Sequence, residues 1–202
     1  MTIKNQYLKE NIYNTFSKKM DEDISENELK KIKSIVINNV NEKLERIHYD
    51  AEDFECIKYV EKLIIQKLTI TNEIMQKINN MQNLKSISFN YCRFENNIQL
   101  VNNIETLIVV YPEKFDFKNH VNLNKVTFLK LINVDNIDIN DLINYEIEEL
   151  YLYNCTIKSL KELINLESLR ILKLDGSKFD DDALELLKKK NIVLQYNQSY
   201  CC

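Results

Sequence analysis

Thiols, imidazoles and carboxylates are the side chains of this chain that could carry chemistry. There are five cysteines and two histidines. A cysteine beside a histidine could form a nucleophilic pair, and a cluster of Cys, His, Asp and Glu could hold a metal. His48 and His120 lie far apart in unlike contexts. No Cys-x-x-Cys spacing occurs, and no metal-ligand spacing links the histidines to the thiols. The single glycine, Gly176, cannot build a phosphate-cradling or dinucleotide-binding loop. Asp180, Asp181 and Asp182 could attract a cation, but acidic residues are favoured at a helix start by the helix dipole alone. Cys201 and Cys202 form an adjacent pair of the kind that carries prenyl groups, with nothing around them to support lipidation. The chain therefore reads as non-enzymatic, with no catalytic residue, no metal site and no cofactor.

Cys92 and Cys155 belong to a different pattern. Leu84, Ile87, Phe89, Cys92 and Phe94 follow the spacing L-x-x-L-x-L-x-x-C-x-L. Ile147, Leu150, Leu152, Cys155 and Ile157 repeat it, as do Leu169, Leu172, Leu174, Ser177 and Phe179. Weaker copies start at Ile32, Val60, Ile104 and Val126, giving a step of about 22 residues. In the Ile104 copy, Pro112 and Lys114 replace the last two apolar residues; in the Val126 copy, Ile137 comes one place late. A final partial turn carries Leu194 and Tyr196. The two central apolar positions alternate as in a short strand, and one coil cannot bury them alone. Stacked coils can, so the pattern predicts parallel strands with Cys92 and Cys155 as packing residues.

Between strands, helical patterns occur at Thr71–Asn80, Lys161–Asn165 and Asp181–Lys190, the last with Asp180 as N-cap. The arms at Glu95–Asn103 and Glu113–Leu123 look less helical. Ahead of the ladder, Leu8, Ile12, Phe16 and Met20 predict an amphipathic helix over Lys4–Met20. Ser25 and Glu28 form a capping box that opens a helix over Glu26–Lys31. Ile35 and Ile37 mark the first strand.

This pattern resembles the leucine-rich repeat family, in its bacterial, internalin-like form. The resemblance implies an α/β leucine-rich repeat solenoid of about 7–8 repeats. A curved parallel sheet would line its concave side, with short helices and irregular arms on the convex side. Residues 1–24 would form an N-terminal helical cap and residues 25–202 the repeat domain. The family usually places Asn at the ninth motif position; here Cys92, Cys155, Ser177, Leu68, Pro112 and Val134 stand there. The asparagine ladder that satisfies turn amides is therefore expected to be missing. The resemblance also implies binding of a protein partner on the concave face, without catalysis. The ribonuclease-inhibitor branch suggests an alternative: an inhibitor or immunity-type regulator of a single enzyme.

The alternation that buries the ladder exposes its neighbours. In the middle coils these are Ile108, Val110, Phe128, Lys130, Ile132, Tyr151, Tyr153 and Lys173, with Tyr111 at the rim. Contiguous aromatics and β-branched residues mark interaction surfaces. A net charge of −4 with dispersed basic residues argues against nucleic acid as partner. No apolar run approaches the roughly 18 residues of a membrane span. The polar first ten residues lack a signal-peptide core. With an odd number of cysteines, these features predict a cytoplasmic monomer.

Overall fold

Each ladder residue needs an apolar neighbour on both sides, and stacking supplies both. The computed structural model describes residues 3, 5–19, 22–39, 47–122, 125–179 and 181–197. Eight strands lie in chain order in one parallel sheet. They are β1 (Ser34–Asn38), β2 (Lys62–Gln66), β3 (Ser86–Asn90), β4 (Thr106–Val110), β5 (Phe128–Ile132), β6 (Glu149–Tyr153), β7 (Ile171–Asp175) and β8 (Val193–Asn197). Pairing keeps each motif position opposite itself, as Leu129, Leu150 and Leu172 show. Ladder positions one, four and six are buried in every copy from Ile32 to Leu169, the weak ones included, and form one core.

The two irregular copies have a local cause. Lys114 and Asn136 hold left-handed φ angles of 56° and 57°. Each adds one residue to the turn, so the next apolar side chain arrives one place late. Ile137 is buried there, and the Phe115 ring lies 5.1 Å from that of Phe94.

Parallel strands need long crossovers, and the return arms provide them. The N-terminal helix α1 (Gln6–Thr15) is shorter than the predicted Lys4–Met20. Asn5 caps it by accepting from the Leu8 N–H at 2.9 Å, and Ser17, at φ 53°, turns the chain away after it. Lys4 and Met20 lie outside the described residues. Leu8 and Ile12 join the core. The buried Asp53 carboxylate accepts from the backbone N–H of Asn5 at 3.2 Å and of Asp50 at 2.9 Å, tying α1 to the arm before β2.

Helix α2 (Glu26–Leu29) carries the expected capping box but ends two residues before Lys31. The Lys18 ammonium, 2.7 Å from Glu28, and the Ser25 N–H hold the Glu28 carboxyl down to about 2. A depressed carboxyl contributes stability that is complete above its unfolded value and lost as pH falls through the folded one. Amide exchange over residues 25–29 should therefore accelerate as pH drops from 4.5 towards 2, once intrinsic exchange rates are divided out. Glu28→Gln should show the faster exchange already at neutral pH.

Helix α3 (Asn72–Asn79) buries Ile74, Met75 and Ile78 as its pattern predicts. The Glu113 arm forms one helical turn, α4 (Phe117–His120), and the Glu95 arm none. Lys161–Asn165 lies in a 3-10 turn, Leu160–Asn165, with Leu163 buried and Ile164 exposed. Helix α5 (Asp181–Lys188) follows; its expected cap, Asp180, lies outside the described residues. A further 3-10 turn, Ala51–Ile57, was not apparent from periodicity. No helix among the described residues is long and apolar enough to cross a membrane.

Candidate interaction surface

The side chains between the ladder positions leave the sheet on the face away from the core. Ile108, Val110, Phe128, Lys130, Ile132, Tyr151, Tyr153 and Lys173 are all half-buried there, while their strand neighbours Leu107, Val109, Leu129, Leu131, Leu150 and Leu152 are fully buried. Register aligns Ile108, Lys130, Tyr151 and Lys173 across four strands, and Val110, Ile132 and Tyr153 across three. The irregular copies keep this alternation, because their extra residues fall after the strands.

The tyrosines are held in place. Phe128 meets Tyr151 edge-on at 4.9 Å, and Tyr153 lies 6.4 Å from Tyr151. The Tyr151 hydroxyl donates to Glu149 at 2.9 Å. Lys173 sits 4.3 Å from the Tyr151 ring centre and Lys130 5.1 Å from that of Tyr153. Such cation–π contacts are worth about 0.5–1 kcal/mol at exposed sites. The result is a fixed aliphatic and aromatic strip with a positive charge over two of its rings.

Tyr111 lies beside this strip, on the residue that follows β4. Seven coils share one turn there. The N–H of Asn39, Lys67, Tyr91, Tyr111, Asn133, Asn154 and Gly176 each donates to the last carbonyl of the next strand. All but Asn39 have φ between 47° and 62°. Asn and Gly suit that conformation, whereas other residues carry about 1–2 kcal/mol of strain. Tyr91 and Tyr111 nevertheless occupy it in adjacent coils. Their rings stack at 5.0 Å and 5°, and they are 53% and 46% exposed. Periodicity alone singled out Tyr111 and missed Tyr91. The available signal was its place one coil earlier at the same motif position.

The candidate chemical groups are used structurally. The His120 ring is buried between Phe94 and Phe115. Its Nδ1 lies 2.9 Å from both the N–H and the carbonyl oxygen of Asp116, and its Nε2 lies 3.1 Å from the Glu95 carbonyl, so backbone groups hold both ring nitrogens. His48 is exposed and pairs with Asp50 at 2.8 Å. Among the described residues, no three His, Cys, Asp or Glu come together as a metal site. Cys201 and Cys202 lie outside them.

At the ninth motif position, part of the asparagine ladder's work is done by other groups. Cys92 Sγ donates to the Ile65 carbonyl at 3.4 Å and Cys155 Sγ to the Tyr153 carbonyl at 3.3 Å. Ser177 Oγ donates to the Leu152 carbonyl at 2.9 Å and accepts from the Cys155 N–H at 3.0 Å. Burial pushes the Cys56 and Cys92 thiols up to about 11 and raises Cys155. An increase from 9.0 to about 11 cuts the thiolate fraction about 100-fold at neutral pH. Alkylation of Cys56 and Cys92 at pH 8 should thus be at least about 100-fold slower in the native than in the denatured protein, as read by peptide mass spectrometry.

A parallel sheet of in-register coils closed by short helical arms has a counterpart among solved structures. Internalin C2 from Listeria monocytogenes superimposes with a TM-score of 0.57 over 96% of this chain and 93% of that one. The fold is a leucine-rich repeat solenoid. An internalin of the same organism, inlF, covers 96% of this chain and 77% of that one at 15% identity and a TM-score of 0.39. No family model and no curated protein matches the sequence. At 13% identity, the likeness to internalin C2 extends to the leucine-rich repeat architecture and not to a partner.

Proposed function

We propose that this leucine-rich repeat protein is a non-catalytic interaction module that binds a protein partner on the concave face of its sheet, the face turned away from the core. The reading rests on one observation. Ile108, Val110, Phe128, Ile132, Tyr151 and Tyr153 form a contiguous half-exposed strip in register on three adjacent strands. Rigid aromatics give contact area at low entropic cost, and Tyr is enriched at binding hot spots. Lys130 and Lys173 add positive charge over the rings, and Tyr111 extends the strip over the end of the sheet. In this reading residues 1–24 cap the repeat domain of residues 25–202, and the protein acts as a cytoplasmic monomer. Affinity capture from the source organism, wild type against Tyr151→Ala with Tyr153→Ala, tests the reading. Partner recovery should be lost with the double variant; equal recovery from a folded variant would reject the strip as the site.

A further inference from the structure

Beside the Tyr91–Tyr111 stack lies a groove of about 420 Å³, bordered by Asn39, Lys67, Thr69, Tyr91, Arg93 and Glu113. Tyr91 and Tyr111 stand in a left-handed turn that Asn133, Asn154 and Gly176 serve in other coils. The turn does not need rings, and exposed rings add nothing to the core. Lys67 and Arg93 are exposed, and neither makes an ion pair among the described residues. We infer that this groove is a second subsite, which takes an acidic peptide segment bearing an aromatic side chain. The peptide's ring would stack on the exposed tyrosine platform, and its carboxylates would face Lys67 and Arg93.

Charge complementarity carries the choice of an acidic ligand, and the platform carries the choice of a ring. A nucleotide fits less well. The only glycine, Gly176, lies far along the solenoid and leaves no backbone phosphate cradle here; Glu113 stands on the same rim, so the peptide's carboxylates would take the Lys67 and Arg93 side of the groove. The choice of a peptide rests on the protein-interaction reading, but the location of the subsite does not.

Calorimetric titration of the full chain with an acetylated, amidated Asp-Glu-Tyr-Asp-Glu peptide provides the test. Binding should weaken at least about ten-fold when the peptide's tyrosine becomes alanine, or when its acidic residues become lysines. Tyr91→Asn with Tyr111→Asn keeps a residue suited to the turn. This variant should melt no lower than wild type and bind the acidic peptide at least about ten-fold more weakly. Lys67→Gln with Arg93→Gln should lose a similar factor. Tyr151→Ala with Tyr153→Ala should change peptide affinity less than about two-fold even where it abolishes partner capture, so the two sites can fail separately. No binding of the acidic peptide, equal binding of the lysine peptide, or loss with the Tyr151 and Tyr153 substitutions in place of the Tyr91 and Tyr111 ones would overturn the inference.

Discussion

Leu152→Asp is expected to leave no folded solenoid at room temperature. Leu152 is fully buried and stands in register between Leu131 and Leu174. Truncating such a leucine costs about 2–5 kcal/mol through lost burial and the cavity left behind. A carboxylate there has no cation to pair with, and burying an unpaired charge costs several kcal/mol more. The sum rivals the whole stability of a typical domain, about 5–15 kcal/mol. Solenoid coils depend on their neighbours, so failure at the sixth coil uncovers the core of the coils on both sides. Circular dichroism and a thermal melt would show the loss. A cooperative transition within a few degrees of wild type would contradict the burial of this ladder position.

Tyr151→Ala with Tyr153→Ala, on the same strand but the opposite face, is expected to do the reverse. The double variant folds and loses its partner. Neither ring is part of the core. Their contacts with Phe128, Lys130 and Lys173 are cross-strand and cation–π pairs, each worth about 0.2–1 kcal/mol. Together they come to about 2 kcal/mol, a fall in Tm of roughly 4–8 °C for a chain of this size. Removing two central anchors from an interface costs about 2 kcal/mol or more for each, a loss of affinity of about 700-fold or greater. Calorimetry with the captured partner and a melt of each variant separate the two effects. A fall in Tm comparable to that of Leu152→Asp would show that these tyrosines support the fold and not the contact.

The contrast between Leu152 and its neighbours Tyr151 and Tyr153 was readable in the sequence, because a period of two is fixed by strand geometry. The weak copies at Ile104 and Val126 obeyed it too, since Lys114 and Asn136 absorb their irregularity outside the strands. Features without a period were harder to see. The link from Asp53 to Asn5 joins residues 48 positions apart through a carboxylate and a backbone amide, and no spacing rule predicts it. The 3-10 turn at Ala51–Ile57 has no long apolar stripe to announce it. Tyr91 was missed for another reason. Its importance depends on a left-handed turn shared by successive coils, and on the coil spacing that brings its ring onto Tyr111. The asparagines at 133 and 154 and the glycine at 176 marked that turn, but only alignment of all the coils at that position connects them to the tyrosines.

The central claim is that a protein partner sits on the concave face of the sheet, the face turned away from the core. Site-specific photo-crosslinking tests it most directly, with p-benzoylphenylalanine in place of Ile132 on that face, or in place of Ile164 on the return arm. Ile164 is exposed, so neither placement disturbs the ladder. Irradiation with the captured partner should give a crosslinked species from position 132 and none from position 164. Crosslinking from position 164 with none from position 132 would put the partner on the other side of the solenoid and contradict the account.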